Sequence, residues 1–367
     1  MLIELQSYLG CNFVGATWIT NLDDRGRSYM SMSKNNDWSQ EKLIQLSGGY
    51  WQAFAIHAAI ELDLFTLLDS GLKTSKEMAH LASYNQRACE MLLNALCAMD
   101  LLVKIDGNFT NTPFASEFLS KNSEAYTGYI IGHHHHLVDS WNNLASVVRT
   151  GEPHRSSTSH TNSEIERENF LMGMFNMAFR SRLAPRWVEK INLAKAQSIL
   201  DLGGGPGTYA IYFCQNNAQM SGTVFDLPTT APFAEKTIAR FNLNDRINFI
   251  GGDFTVNDIP GKYDAVWLSH ILHGMDEKNC QLVISKAAKA LNPNGVFLIH
   301  EFILNDEKSG PLFPALFSLN MLVGTTGGQS YSKADLIKML SNAGISQIEH
   351  LTLEDKTPSS VLRGIKI

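Results

Sequence analysis

The sequence predicts an α/β fold with a mostly parallel sheet, preceded by a separate helical domain. From Ser198 onward, short apolar runs alternate with amphipathic segments, which is typical of buried strands connected by helices. A glycine-rich turn, Gly203–Gly207, follows the first of these strands and precedes a helical pattern. Residues 41–150 show helical periodicity instead, and the 367 residues are enough for about two domains.

The first 35 residues differ in character from the rest of the chain. Residues 1–21 are mildly apolar without a basic start and run into the charged segment Asp23–Arg27, so they fit neither a signal peptide nor a membrane anchor. We predict that residues 1–35 are a disordered extension or an over-extended start. No apolar run in the sequence approaches the roughly 18 residues that a membrane span requires, and we expect no membrane partner.

Residues 36–150 are predicted to form a helical domain with the element order of a winged helix. An apolar pattern over Glu41–Leu68 predicts a first helix, and the capping box Thr74–Glu77 opens a shorter one. A third helix is predicted over Asn85–Met99. The segment Leu101–Thr110 then has the pattern of two strands joined by an Asp-Gly turn.

Winged helices commonly bind DNA, but the charge of this one argues against that function. Residues 49–121 contain five basic and eight acidic side chains, and the whole chain carries a net charge of −6. A DNA-binding domain needs a basic surface to contact phosphates. We therefore expect no nucleic-acid partner and predict that the helices of this domain mediate a homodimer. A ligand-sensing winged-helix regulator is the less favoured alternative.

The run His133–His136 raises the question of a metal site. His133 and His136 are three residues apart, so a helix would bring them onto one face, where a metal could bridge them. The alternative, which we favour, is that these histidines line a pocket or face solvent, because no carboxylate or cysteine cluster accompanies them. We predict no metal.

The five cysteines show no C-x-x-C spacing, and most of them lie in apolar, helix-patterned sequence. Paired or metal-binding cysteines normally follow a recognisable spacing. We therefore predict that they are reduced packing residues of a cytoplasmic protein.

Residues 151–190 are predicted to be a linker followed by a helical segment beside a substrate pocket. Ser156–Ser163 is polar and loop-like, whereas Phe170–Arg182 carries a helical stripe of Met and Phe side chains. Such a stripe is usually part of a core, but its position directly before the glycine-rich domain also suits the roof of a cavity. Both interpretations stay open at this point.

The remaining residues, 191–367, carry the alternating strand and helix patterns. The predicted strands are Ser198–Asp201, Gly222–Asp226, Ile247–Gly251, Tyr263–Leu268 and Val296–Phe302. The predicted helices are Thr208–Cys214, Ala231–Phe241, Glu277–Leu291 and Ser332–Ala343. Two last β-like runs are expected to pair as a hairpin at one edge of the sheet, Gln347–Leu353 and Ser360–Ile367.

Three aspartates at strand ends indicate a nucleoside-type ligand. Asp201 precedes the glycine turn, Asp226 ends the second strand where a ribose-binding carboxylate belongs, and Asp253 follows the third strand. Taken singly, each aspartate could be a helix cap or a turn residue. The ordered set favours a ligand with an adenine, a ribose and a positive charge, but no pyrophosphate. S-adenosylmethionine fits that description.

Six short motifs then occur in order along this domain. They are Leu-Asp-Leu-Gly-Gly-Gly-Pro-Gly, Phe-Asp-Leu-Pro, Gly-Gly-Asp-Phe, Leu-Ser-His-Ile-Leu-His, Glu-Phe-Ile-Leu and Gly-Gly-Gln-Ser-Tyr-Ser. In this order they resemble S-adenosylmethionine-dependent O-methyltransferase family 2, the caffeic acid and hydroxyindole type, in its bacterial branch. The resemblance covers about residues 41–367. It implies a Rossmann-like class I methyltransferase domain with a seven-stranded, mostly parallel sheet, behind a winged-helix-like dimerisation domain.

The resemblance also implies the roles of individual residues. His273 matches the general base and Glu301 the carboxylate that orients its ring. A base is needed because a phenol, with a pKa of about 10, is a poor nucleophile at neutral pH. The cofactor positions, from the strand ends and the resemblance together, are Asp201, Gly203, Gly205, Asp226, Asp253, Phe254 and Ser269, the last at a position where plant members often carry lysine. The implied substrate contacts are Phe175, Phe179, Met321 and Thr325, and the apolar pattern alone adds Phe313 and Phe317.

The sequence departs from the family's pattern in two respects. The family usually has Asp-Trp after the base, where this chain has Gly274 and Met275, and Ser330 replaces a second orienting glutamate. His273 therefore keeps one carboxylate partner. The favoured function is O-methylation of a small, largely apolar aromatic acceptor. The departures leave open a relative that binds the cofactor but hydroxylates or decarboxylates, and a C- or N-methyltransferase.

Overall fold

The computed structural model describes residues 17–22, 28–33, 38–155, 163–180, 182–354 and 357–367. They fall into two compact units, Met1–Phe54 and Ala55–Ile367, which are described separately. The domain boundaries expected from the sequence stay predictions. Within the described ranges, no helix combines the length and the apolar character that crossing a bilayer would need.

The first unit contains a β-hairpin and a helix. Strands β1 (Thr17–Leu22) and β2 (Ser28–Ser33) pair antiparallel. The hairpin lies within residues 1–35, where the sequence analysis predicted no strands. The other residues of that segment lie outside the described ranges, and the over-extended start stays a prediction. Helix α1 (Gln40–Gly48) begins after Ser39, whose hydroxyl accepts a hydrogen bond from the Lys42 amide and caps the helix.

The prediction of one helix over Glu41–Leu68 is wrong, because the structure divides this stretch into three. After α1 come α2 (Tyr50–Glu61) and α3 (Leu64–Leu68). The second break falls at Asp63, whose φ of 53° is left-handed and interrupts the helical hydrogen bonds. The apolar pattern continues across both breaks, so periodicity alone does not show them.

The second unit begins with elements in the order expected for a winged helix. Strands β3 (Lys73–Thr74), β4 (Leu102–Ile105) and β5 (Asn108–Asn111) form an antiparallel sheet in the order β3-β5-β4. Helices α4 (Ser75–Ala82) and α5 (Gln86–Ala98) lie between β3 and β4 in the chain. The predicted capping box at the start of α4 is present. Buried apolar side chains hold these elements together, among them Leu64, Phe65, Met78, Leu93 and Phe109.

Five helices connect this part to the larger sheet: α6 (Pro113–Phe118), α7 (Gly128–Asn142), α8 (Leu144–Thr150), α9 (Glu164–Arg180) and α10 (Leu183–Ile191). Helix α9 begins six residues before the predicted Phe170 start. The predicted loop Ser156–Ser163 lies almost entirely outside the described residues.

The larger sheet has seven strands in the order β11-β12-β10-β9-β6-β7-β8. Strand β12 is antiparallel to both β10 and β11, and the other neighbouring pairs are parallel. The expected mostly parallel sheet with a hairpin at one edge is therefore confirmed. The strands are β6 (Ser198–Leu202), β7 (Ser221–Asp226), β8 (Ile247–Gly251), β9 (Tyr263–Ser269), β10 (Leu291–Glu301), β11 (Ile345–Leu351) and β12 (Ser360–Lys366).

One face of this sheet is covered by α10, α11 (Thr208–Asn216) and α12 (Ala231–Arg240), and the other by α13 (Glu277–Ala290) and α15 (Lys333–Asn342). Helix α14 (Leu312–Gly324) lies between β10 and α15 in the chain. Alternate residues of β9 enter two different cores. Trp267 packs in one with Phe213 and Trp187, while Val266 and Leu268 pack in the other with helix α13. The sheet is thus buried on both sides, as its apolar strands indicate.

Helix α14 was not predicted. Its sequence is apolar at almost every position, so it has no polar face to reveal a helical period. The helix follows β10 and leads to the Gly327–Ser332 motif. It therefore contributes to the edge of the sheet where the strands β6, β7, β9 and β10 end, which is where ligands bind in open α/β folds.

Candidate active site

The glycine turn after β6 has a backbone that only glycine adopts without strain. Gly203, Gly205 and Gly207 have φ values of 69°, 53° and 77°, all left-handed. A Cβ on Gly203 would lie 2.3 Å from Ile271 Cδ1, so the turn also packs too tightly there for a side chain. At Gly205 the nearest atom to such a Cβ is Leu171 Cδ2 of α9, at 3.7 Å. The turn therefore leaves room for a ligand at Gly205, before the N-terminus of α11.

Asp201 lies beneath this turn. Its side chain is 1% exposed, and Oδ2 accepts a hydrogen bond from the amide of Ala210 in α11 at 3.1 Å. Burial raises the pKa of Asp201 to about 7, against the opposing effect of the Ala210 hydrogen bond. These contacts favour a role in holding the turn against the helix, and a direct cofactor contact from Asp201 stays a prediction.

Asp226 and Asp253 lie at the ends of neighbouring strands. Asp226 Oδ2 accepts the amide of Gly205 at 2.8 Å, and its Oδ1 accepts the amide of Leu227 at 2.6 Å. Burial raises the pKa of Asp226, and these hydrogen bonds oppose the effect. Asp253 Oδ1 accepts the amide and the hydroxyl of Thr255, which closes a turn after β8. Asp226 thus contacts the glycine turn, and Asp253 lies in the loop after β8. The sequence predicts both positions, because each aspartate stands at or directly after the end of a strand.

Phe254 packs beside the glycine turn as well. Its ring lies 3.4 Å from the position that a Cβ on Gly203 would occupy. Ser269 is different, because its hydroxyl is 2.9 Å from Nδ1 of the buried His300. The partner of the Ser269 hydroxyl is therefore a core side chain, and its cofactor contact stays a prediction.

His273 and Glu301 form a close pair of titratable groups at this edge of the sheet. His273 Nδ1 lies 2.8 Å from Glu301 Oε2. Glu301 Oε1 accepts the amides of Leu272 and His273, at 2.9 and 3.3 Å, and Oε2 also accepts the amide of Phe302. Burial alone would raise the pKa of Glu301. The imidazoles of His273 and His270 outweigh that effect and hold the pKa well below its usual range. Glu301 is therefore a firmly held anion.

His270 is a member of this group that was not predicted as a site residue. Its Nδ1 lies 3.6 Å from the same Glu301 Oε2. Together, His270, His273 and Glu301 place one ligand atom each within 4.8 Å of one another. Three backbone amides and His273 Nδ1 lie within hydrogen-bond distance of the two oxygens of Glu301. We therefore assign the group to hydrogen bonding.

The histidine run in α7 forms no comparable group with other ligands among the described side chains. His133 is 8% exposed, and its ring lies 5.2 Å from that of Phe170. Burial, with smaller effects of nearby charges, lowers the pKa of His133 to about 3. His133 is a neutral, packed side chain at physiological pH.

Aromatic side chains lie next to His273. The ring of Phe317 lies 4.8 Å from that of His273 and 4.7 Å from that of Phe302, and Phe313 is 4.8 Å from Phe302. Phe313 and Phe317 belong to α14, and Phe302 directly follows Glu301. We call these three residues the aromatic cluster. Phe313 and Phe317 were predicted from the apolar pattern, whereas Phe302 was not.

The four substrate positions implied by the resemblance fall into two places. Phe175 and Phe179, on α9, stack on each other at 5.1 Å and pack against Phe241, which follows α12. Met321 is on α14, and its carbonyl accepts the Thr325 hydroxyl at 2.7 Å. Met321 lies on the helix that carries Phe313 and Phe317, and Thr325 directly follows that helix. The interpretation of the Met and Phe stripe as core fits Phe175, which is 2% exposed.

Ser330 is buried at the position where the family places a second glutamate. It is 1% exposed, and its hydroxyl has no hydrogen-bond partner among the described residues. Its amide donates to Ser318 Oγ at 3.0 Å. Gly274, at the other departure, has open space around the position of a Cβ. His273 therefore has Glu301 as its carboxylate partner in the described structure.

Two family models match this sequence. The O-methyltransferase domain matches residues 141–346, which is more than half of the chain, and the O-methyltransferase dimerisation domain matches residues 44–121. The chain belongs to the O-methyltransferase family. The expected resemblance and the expected fold class are both confirmed.

Relatives and solved structures agree with this membership. A 3-hydroxy-5-methyl-1-naphthoate 3-O-methyltransferase of Streptomyces sahachiroi is 32% identical over 329 residues, 88% of this chain and 94% of the relative. Acetylserotonin O-methyltransferase of Gallus gallus is 29% identical, over 84% of this chain and 92% of the relative. An O-methyltransferase family protein from Burkholderia thailandensis has a TM-score of 0.80 at 28% identity, with 90% of this chain and 99% of that chain covered.

The structure of PigF with SAH has a TM-score of 0.82 at 25% identity, and it covers 90% of this chain and all of that one. This O-methyltransferase family member is accordingly an S-adenosylmethionine-dependent enzyme. The cofactor inferred from the glycine turn and the strand-end aspartates is confirmed.

Proposed function

We propose that this enzyme methylates a hydroxyl group of a small, largely apolar aromatic acceptor, with His273 as the general base and Glu301 as the group that orients it. The observation that carries the proposal is the 2.8 Å contact between His273 Nδ1 and Glu301 Oε2 beside the aromatic cluster. With Nδ1–H donating to the carboxylate, the lone pair of His273 is on Nε2. A lone pair held in one direction suits the removal of a phenolic proton.

The carboxylate has a second effect on this step. When His273 accepts the proton, the imidazolium forms next to the buried anion of Glu301, which stabilises the charge. The four hydrogen bonds to Glu301 keep that anion in place before the proton arrives. Little reorganisation is therefore needed during proton transfer.

The residues around the glycine turn suit the cofactor. When bound, S-adenosylmethionine supplies an electrophilic methyl group on a sulfonium. We propose that Gly203 and Gly205 give its backbone contacts, that Asp226 and Asp253 accept its hydroxyl and amino donors, and that Phe254 packs on its adenine. The left-handed turn and the space at Gly205 support this assignment.

The aromatic cluster supports an aromatic acceptor, because flat rings pack well against Phe side chains. The names of relatives point the same way: a naphthoate O-methyltransferase, an acetylserotonin O-methyltransferase and the tetracenomycin polyketide synthesis 8-O-methyl transferase of Streptomyces glaucescens. Other relatives are named as an N,N-dimethyltransferase and an L-tyrosine C(3)-methyltransferase. We favour a hydroxyl acceptor over a nitrogen or carbon acceptor, because His273 is placed to remove a phenolic proton.

The dimerisation domain implies a partner chain, and we propose a homodimer. Helix α1 and the start of α2 expose large apolar side chains: Leu43, Ile44, Leu46, Tyr50 and Trp51, each 57–71% exposed. Apolar exposure of this extent is typical of an interaction surface. We also propose a cytoplasmic location, in keeping with the free thiols of Cys89, Cys97, Cys214 and Cys280.

The test is transfer of labelled methyl from S-adenosylmethionine to a panel of phenols, naphthols and hydroxyindoles, with product identification by mass spectrometry. We expect transfer to the oxygen of at least one acceptor. His273→Ala should lower kcat by about 10²–10⁴-fold with little change in cofactor affinity. His350→Ala, on the distant strand β11, is the matched control. Tight cofactor binding without transfer to any acceptor would overturn the proposal.

A further inference from the structure

One oxygen of Glu301 faces two imidazoles. Oε2 lies 2.8 Å from His273 Nδ1 and 3.6 Å from His270 Nδ1. The other oxygen, Oε1, accepts the backbone amides of Leu272 and His273. Both imidazole rings therefore face the same oxygen, Glu301 Oε2. The ring of His270 has no role in the mechanism given above.

The ring of His270 is held in place by its backbone and by two aromatic neighbours. Its φ of 57° is left-handed, and its amide donates to the carbonyl of His300 at 2.9 Å. The ring centroid lies 4.2 Å from that of Phe302 and 4.5 Å from that of His300. Its Nδ1 is buried and has no hydrogen-bond partner within the described residues. A ring clamped in this way stays close to Glu301.

Among the described residues, three titratable groups face His270. They are Glu301, His273 and the fully buried His300. Burial lowers the pKa of His270, and the nearby His273 lowers it further. The contact with Glu301 raises this pKa and so opposes both effects. The ring is therefore neutral at neutral pH and takes up a proton only in acid, next to the anion.

We propose that His270 is a positioning residue for proton transfer, which shares Glu301 Oε2 with His273 and takes that oxygen over when it is itself protonated. In its neutral form, His270 leaves the anion to His273, so the base is oriented. In acid, a proton from solvent adds to His270, and the resulting imidazolium pairs with Oε2. His273 then loses its orienting partner and gains a positively charged neighbour.

Both rings face the same carboxylate oxygen, so the ring that pairs with Oε2 displaces the other from it. Protonation of His273 removes the base directly. Protonation of His270 acts through Glu301, because it takes away the partner that orients His273. The logarithm of kcat/KM should consequently fall in acid with a limiting slope of two. A lone base with one carboxylate would give a slope of one.

His270→Asn is the informative variant, because asparagine tolerates a left-handed backbone and keeps a donor near the position of Nδ1, but does not titrate. The direct readout is the pH titration of imidazole signals in the full chain labelled with ¹³C-histidine, with S-adenosylhomocysteine bound. The signals of His270 and His273 are assigned by their loss in His270→Asn and His273→Asn. His350→Asn is the matched control.

In the wild-type protein, we expect each of the two signals to move in two steps. In His270→Asn, the His273 signal should move in one step, and the acid slope of kcat/KM should fall from two to one. His270→Phe, which also removes the titratable ring, should likewise give an acid slope of one. An unchanged His273 titration in His270→Asn overturns the proposal. If His270→Asn does not fold, His270→Gln replaces it under the same criteria.

The inference rests on the proposed role of His273, but the titration does not require an acceptor. Coupled titration without methyl transfer would contradict the proposed function alone. Methyl transfer with uncoupled titration would contradict the role of His270 alone.

Discussion

The amide of Gly205 donates a hydrogen bond to Asp226 Oδ2 at 2.8 Å and so joins the glycine turn after β6 to the end of β7. Two elements that lie 21 residues apart in the sequence thus share one polar contact at the proposed cofactor site. The contact uses one lone pair of Oδ2. Because a carboxylate oxygen accepts more than one hydrogen bond, Asp226 remains able to accept from a ligand.

Replacement of Asp226 by alanine should weaken cofactor binding. The change removes a charged acceptor and also releases the amide of Gly205, so we expect Kd for S-adenosylmethionine to rise by about 10–100-fold. Turnover at saturating cofactor should change much less. Isothermal titration calorimetry measures the Kd, and Asp245→Ala, at an exposed position, is the control. An unchanged Kd would remove Asp226 from the cofactor site.

Replacement of Gly203 by alanine should destabilise the fold. The residue has a left-handed φ of 69°, and the new Cβ would lie 2.3 Å from Ile271 Cδ1. We expect a loss of about 1–3 kcal/mol in the free energy of unfolding, measured by urea denaturation. Gly48→Ala, where a Cβ meets nothing within 4 Å and φ is not left-handed, should change it by less than about 0.5 kcal/mol. Equal losses of unfolding free energy in Gly203→Ala and Gly48→Ala would contradict the expected strain at Gly203.

The carboxyl group of Asp201 should make stability depend on pH. Its pKa rises from 3.8 to about 7 on folding, chiefly through burial. A raised pKa means that the folded state binds the proton more tightly, so this stabilisation is complete below pH 4 or so and is lost as pH rises through about 7. In Asp201→Asn that dependence is absent. Melting temperatures from pH 4 to 8 should therefore fall more for the wild type than for the variant, and parallel curves would refute this.

Two serines near the active site should respond to alanine in opposite directions. The Ser330 hydroxyl is buried without a partner within the described residues, so Ser330→Ala should be neutral or stabilising by up to about 1 kcal/mol. The Ser318 hydroxyl accepts the amide of Ser330 and donates to the carbonyl of Pro314. Ser318→Ala should cost about 1–2 kcal/mol, because it leaves a buried amide unpaired. Thermal denaturation measures both, and the reverse order would show that Ser330 has a partner.

The proposed homodimer should depend on the apolar side chains of α1 and α2. Charges at Leu46 and Trp51, introduced as Leu46→Glu with Trp51→Glu, place two carboxylates in the buried interface and should give a monomer at micromolar concentration. Light scattering measures the mass. Leu282→Glu, which alters an exposed leucine of α13, should leave it unchanged. A wild-type protein that is itself a monomer under these conditions would contradict the homodimer.

Local patterns predicted most of the larger sheet, because each strand is apolar and each turn carries its own signal. The glycine turn and the aspartates at the ends of β6 and β7 are examples. The group around Glu301 was predicted only in part. Glu301 and His273 followed from motif positions, whereas His270 faces Glu301 through the pairing of β9 with β10. Such pairing brings together residues 31 positions apart and has no local signature.

The two breaks near Gly48 and Asp63 and the helix α14 were missed for related reasons. An apolar pattern reports which residues are buried, but not where the backbone turns. In α14 the apolar residues surround the helix, so the sequence lacks the contrast between two faces. The position of Phe302 in the aromatic cluster depends on α14 and was missed with it.

The parallel register of β9 and β10, which pairs Ser269 with His300, makes the proposed catalytic pair of His273 and Glu301 intolerant of changes in strand length. His300 and Glu301 are consecutive, so their side chains point to opposite faces of the sheet. A single-residue deletion within β10 would exchange them and turn the carboxylate away from His273. Loops at the same edge, such as residues 305–310, carry no such restriction. Engineering of acceptor preference should therefore vary the lengths of loops and leave the lengths of these two strands untouched.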